Sequence, residues 1–235
     1  MTHALPGIPP LHNDAASSII SDSILVASRL KVLQPSLDEM LLREANEHGY
    51  RHRLEATPLH APTAAGTYHW NGTVYALRSS LAERRWAPQD LRNCPFIVSP
   101  DKTVAIAVMT GDMDTGLEKG NPTNRTQKGA VLKQAVANNQ QLELFNPSAV
   151  STDLARSKDA TQLWILLYHV ATGADGKPEL RAELSLPSRF ERKRIVGWKE
   201  RIILAAIRPD GEAVIEQDQP TGPIDVPVLR RSGTS

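Results

Sequence analysis

At 235 residues, 40% hydrophobic and 23% charged, the chain has the size and composition of a globular protein that can bury a core. Its formal net charge of +1 excludes a chain-wide electrostatic commitment to nucleic acid or anionic lipid, so any such binding must come from a local patch. Its single cysteine, Cys94, excludes an intramolecular disulfide and a multi-cysteine zinc site.

Residues 1–17, with three prolines, read as a loose arm without a signal-peptide pattern, and no apolar run nears the roughly 20 residues that span a bilayer. A cytoplasmic location is therefore expected. Ile19, Ile20, Ile24, Leu25, Leu30 and Leu33 recur at near-helical spacing and predict a first helix over 18–33, broken at Gln34-Pro35. Ser36 and Glu39 fit a capping box for a second helix over 36–48, with Gly49 as its left-handed stop. Asn71-Gly72, between β-branched and aromatic residues, predicts a hairpin over 67–77. A polar, basic connection over 79–93 follows, carrying Arg84, Arg85 and Trp86.

Three further hairpins are expected from their turn chemistry. Segments 96–98 and 104–108 flank Pro100-Asp101-Lys102, and 163–170 and 179–186 flank residues 173–176. Segments 201–207 and 213–215 flank Pro209-Asp210-Gly211. Between the second and third hairpins, Val131, Leu132, Ala135 and Val136 stripe a helix over 127–141. Residues 146–159 read as a surface loop, and 218–235 as a Pro- and Gly-rich surface tail. The expected fold is a single α+β domain over 18–217. Its sheet is largely antiparallel and built from hairpins, with two N-terminal helices and one central helix packed on the sheet.

Two segments carry most of the candidate chemistry. The loop over 110–129 follows a strand end, where Asp112, Asp114 and Glu118 are suited to a hard cation such as Mg²⁺ or Mn²⁺. Arg125 and Lys128 precede a helix N-terminus, a favourable place for an anion. The plain alternative is a solvated polar loop, since neither a Walker A pattern nor a complete EF-hand is present. The second segment, RFERKRIVGWKER over 189–201, sets six basic residues against Glu191 and Glu200. Arg189, Arg192, Lys193, Arg194 and Lys199 can neutralise phosphates, and Trp198 offers a ring for stacking. Its plain alternative is a basic surface turn with Trp198 buried.

The succession helix (36–48), strand (67–78), strand (95–99), strand (103–109), helix (127–141), strand (162–170) resembles the αβββαβ order of the restriction-endonuclease-like nucleases. That family implies an acid near one strand and an acid-x-Lys on the next. Asp101 is available, but the following strand, TVAIAVM, has no acid-x-Lys, and Glu118-Lys119 are adjacent. Among the histidines, His48 and His52 straddle the expected helix stop at Gly49, so these and His60 and His69 read as scattered surface residues. Cys94, before Pro95 at the head of an apolar strand, reads as a small core residue. No Gly-x-Ser-x-Gly elbow is present.

The expectation is a non-catalytic binding protein that contacts nucleic acid, or a protein that handles it, through the local basic patch, with no cofactor. A metal-dependent phosphodiesterase or nuclease using Mg²⁺ or Mn²⁺ is the first alternative. A protein–protein module, in homodimeric form among others, is the second.

Overall fold

The computed structural model describes residues 17–127, 129–144 and 161–209, with the backbone alone for 140–144. The expected arm (Ser17 apart), the loop over 146–159, the strand over 213–215 and the tail lie outside the described residues.

The longest apolar runs set the centre of the sheet. In β4 (Val104–Thr110), Val104, Ile106 and Val108 pack on one face, while Ala105, Ala107 and Met109 pack on the other. In β5 (Gln162–Thr172), Trp164, Leu166 and Tyr168 oppose Leu163, Ile165 and Leu167 in the same way. Strands apolar on both faces belong in the middle of a sheet covered on both sides. These two are paired in parallel, Val104 opposite Gln162 through Thr110 opposite Tyr168. Parallel neighbours need a long crossover, and α4 (Ala130–Leu144) lies within it.

Three more strands are β2 (Ala87–Leu91), β3 (Cys94–Val98) and β6 (Pro178–Glu191). With β1 (Ser18–Ile20) and β7 (Arg194–Ile203) they complete, among the described residues, one seven-stranded sheet ordered β1-β7-β6-β5-β4-β3-β2. The class is α+β, as expected, but the sheet is mixed. Besides β4 with β5, the short β1 runs parallel to β7, and the remaining pairs are antiparallel.

The expected β3–β4 and β5–β6 hairpins are present. Residues 201–203, expected to begin another hairpin, instead end β7, which pairs back onto β6 through a two-residue turn at Arg192 and Lys193. A second two-residue turn, at Arg92 and Asn93, joins β2 to β3 inside the stretch read as a connection. All four turn residues have positive φ, between 46° and 63° at Arg192, Arg92 and Asn93 and 65° at Lys193, the geometry that matches strand twist in tight hairpins.

On one face of the sheet lie α1 (Ser23–Leu33), α2 (Glu39–Arg53) and α3 (Ala64–Ala82); α4 covers the other. α4 seats Leu132 and Val136, the predicted stripe, at 2% and 1% exposure. The helix expected over 18–33 is split: Ile19 and Ile20 are in β1, and α1 starts after Asp22, whose carboxylate accepts from the Ile24 and Leu25 amides. The expected capping box is displaced by two residues. Asp38 caps α2 by accepting from the Leu41 amide at 2.8 Å. Ser36 instead accepts from the Trp86 indole, and Glu39 accepts from the Ala205 amide.

Two glycines misdirected the reading of this layer. α2 runs through Gly49, and Asn71-Gly72 lies in the middle of α3 rather than in a hairpin turn. Both glycines serve helix–helix contact. A Cβ on Gly49 would lie 2.0 Å from Thr73 Oγ1 and 2.5 Å from the His69 carbonyl oxygen. One on Gly72 would lie 2.9 Å from Gly49 Cα. The missing side chain, not a left-handed backbone, is what these positions require. Among the described residues no helix is long and apolar enough to cross a membrane.

Candidate nucleic-acid interface

The loop after β4 is built by its own acids. Asp112 accepts from the Asp114 and Thr123 amides, each at 3.2 Å, and its own amide donates to the Thr123 carbonyl. Burial pushes the Asp112 carboxyl up from its ordinary value, with the Thr123 and Asp114 amides pulling it back. Asp114 accepts from the Asn121 amide at 3.1 Å, and Glu118 accepts from the Ser21 hydroxyl. Two of the three carboxylates proposed for a cation thus brace the loop, and the third ties it to the chain before α1. Among the described residues no group of three or more His, Cys, Asp or Glu is placed to hold a metal ion.

The same loop is fastened to β7. Asn124 is fully buried: its Oδ1 accepts from the Ile195 amide at 2.7 Å, and its Nδ2 donates to the Thr126 and Lys193 carbonyls at 2.7 and 3.4 Å. Its carbonyl accepts from Arg194 Nη1 at 2.7 Å. Thr123 Oγ1 donates to the Ile195 carbonyl, and Trp198 Nε1 to the Pro122 carbonyl, both at 2.7 Å. Beneath the loop, Arg201 and Glu183, 2% and 0% exposed in their side chains, form a buried ion pair. Arg201 also donates to the Gly120 and Leu117 carbonyls, and Glu183 accepts from the Gly116 amide and the Ser185 hydroxyl. A buried pair persists only when its remaining hydrogen-bonding capacity is met, and here the loop backbone meets it.

The two segments singled out in the sequence therefore form one unit. Arg192 and Lys193 are exposed at the hairpin tip, and Arg194, half-buried, is tied to the loop. Arg125, exposed, follows Asn124 directly, its amide donating to the Thr110 carbonyl at 2.9 Å. Lys199 is exposed on β7, while Arg189 is half-buried on β6 with its Nε 3.5 Å from Glu191. The other acid of the segment, Glu200, is engaged by Arg29 of α1 through two hydrogen bonds at 2.6 and 2.9 Å. Lys128 lies outside the described residues.

The aromatic part of the expectation is corrected. Trp198 is 5% exposed and so presents no free ring face for base stacking, while Phe190 is half-buried against the α4-side core. Register shifts between β6 and β7 on both sides of Pro187 leave Trp198 opposite Pro187, and its indole donates into the loop backbone. The residues that organise this surface, Asn124, Glu183 and Arg201, were not singled out. The charged pair carried no signal of burial: Glu183 alternates with Arg181 and Ser185 on the polar side of β6, and Arg201 follows Lys199 and Glu200 in β7. Asn124, in GNPTNRT, reads as one more turn residue.

The succession read from 36–48 onward fails at 67–78, which lies within α3 rather than in a strand; from there the elements run α3, β2, β3, β4, α4, β5. Asp101, the acid it offered, is absorbed by the β3–β4 turn. Burial works to raise its carboxyl, but donors from Ser99, Gln34 and Thr103 outweigh this and hold it well below the ordinary range. No family model matches this chain, and neither a curated protein nor a solved structure is significantly similar to it.

Proposed function

We propose that this chain is a binding protein whose β6–β7 hairpin tip, together with Arg125, contacts the phosphate backbone of nucleic acid. The observation that carries this reading is the docking of the loop on the hairpin through buried Asn124. It sets Arg125 beside Arg192, Lys193 and Arg194 in a chain whose net charge is only +1. Guanidinium and ammonium groups held on a rigid two-residue turn neutralise phosphates without further ordering of the backbone. With Trp198 buried and Phe190 half-buried against the core, contact is through charge rather than base stacking, so single and double strands bind alike and without base preference.

Fluorescence anisotropy with labelled single- and double-stranded oligonucleotides tests it. Engaging about four phosphates gives log K a slope against log salt of about −3 to −4. The double substitution Arg192→Ala with Lys193→Ala should flatten that slope by roughly 2 and weaken binding by about tenfold or more at low salt. Undetectable binding, binding indifferent to salt, or binding unchanged in the double variant each overturns the proposal.

A further inference from the structure

Continuity of α2 through Gly49 changes the standing of two histidines read in sequence as scattered. His48 and His52 are four residues apart on one helical face. Their Nε2 atoms lie 3.1 Å apart, with ring centroids separated by 4.7 Å and ring planes inclined at 59°. We infer that His48 and His52 form a two-nitrogen chelate for a borderline divalent transition-metal cation such as Zn²⁺.

Three features support the assignment. Two nitrogens each about 2.0–2.1 Å from one ion, at an angle between roughly 90° and 110°, must lie about 2.9–3.4 Å apart. The observed separation falls inside that window. Next, His52 Nδ1 is 3.1 Å from Glu55 Oε1. A carboxylate on Nδ1 keeps the proton there and leaves Nε2 with its lone pair, the arrangement by which such carboxylates orient and strengthen metal-binding imidazoles. Without an ion, His48 Nε2–H donates to that lone pair; with one, His48 carries its proton on Nδ1 and offers Nε2 instead. Finally, the pair is reachable. A groove of about 380 Å³ lined by His52, Glu55, Tyr68, Asn71, Gly72 and Tyr75 opens beside it, giving room for the remaining coordination positions.

With two imidazoles and no third clustered ligand among the described residues, the site selects Zn²⁺, Co²⁺, Ni²⁺ or Cu²⁺ over Mg²⁺ or Ca²⁺, which require several oxygens. The alternative is that the pair is a bare imidazole–imidazole hydrogen bond.

The test is calorimetric titration of Zn²⁺, with Mg²⁺ as control, into the full chain carrying His3→Ala and His12→Ala, since those histidines lie outside the described residues. One Zn²⁺ per chain is expected, with no Mg²⁺ response. His48→Ala and His52→Ala should each weaken binding at least about tenfold, and Glu55→Gln about tenfold through loss of the orienting carboxylate. His60→Ala should leave it unchanged. Circular dichroism confirms that each variant keeps its helices, and the imidazole nitrogen shifts of His48 and His52 on Zn²⁺ addition provide a second readout in the unsubstituted pair. Absence of Zn²⁺ binding, or binding that survives His48→Ala, overturns the inference.

Discussion

His69 of α3 is 1% exposed, stacked on Tyr168 with centroids 4.2 Å apart, and its Nε2 lies 3.0 Å from Asn46 Oδ1. Its Nδ1 is buried with no hydrogen-bond partner among the described residues, so the ring is accommodated neutral. Burial first, and then the charge of Arg53, lower its pKa from 6.5 to about 3, with Asn46 acting weakly in the opposite direction. Since the folded value lies below the unfolded one, the unfolded chain takes the proton first. The associated stability is whole above about pH 6.5 and drains as the pH falls toward 3. Between pH 7 and pH 5 the loss from this residue is about 2 kcal/mol, at 1.36 kcal/mol for each unit beyond the unfolded midpoint.

Urea unfolding of the wild type and His69→Gln at pH 7, 6 and 5 measures it. Gln carries no titrating group, so the variant should be less stable at pH 7 but should lose about 2 kcal/mol less on acidification. His48 and His169, whose values burial also lowers, contribute equally to both proteins and cancel. Equal pH slopes in the two proteins, or an imidazole shift of His69 that titrates between pH 7 and 5 in the folded chain, would refute the reasoning.

Other consequences concern packing and the docked loop. Gly49→Ala places a methyl 2.0 Å from Thr73 Oγ1 and should cost about 2 kcal/mol or more. Gly66→Ala, with nothing among the described residues within 4 Å, should add roughly 0.5 kcal/mol, and thermal unfolding of the pair must show opposite signs. Glu183→Gln leaves the Arg201 cation buried without its counter-charge and should cost about 3–5 kcal/mol, whereas Glu183→Leu combined with Arg201→Met recovers much of that loss in denaturant titration. Trp198→Phe removes the donor to the Pro122 carbonyl and should loosen the loop by about 1–3 kcal/mol, read as faster proteolysis within 111–129 while the sheet stays intact.

Features governed by one local requirement were legible in the sequence. The stripe of α4 placed Leu132 and Val136 in the core, because an amphipathic helix has one way to bury its apolar face. The turn at Asp101 and the pairing of β5 with β6 followed from turn chemistry and strand-forming residues, and the basic residues of the hairpin tip were visible as composition. What tertiary structure decided was every case in which one residue type meets two different requirements. Glycine supplies positive φ or removes a side chain; at Gly49 and Gly72 only the contact between α2 and α3 shows that the second applies, and with it the His48–His52 juxtaposition. An apolar strand pairs in either direction, and the crossover through α4 selected parallel for β4 and β5. Asparagine forms turns or satisfies buried backbone, and Asn124 does the latter only because β7 lies beside it. Local chemistry specifies which conformations a segment can adopt, whereas burial against a distant partner selects among them. The joining of loop and hairpin into one unit belongs to that second kind.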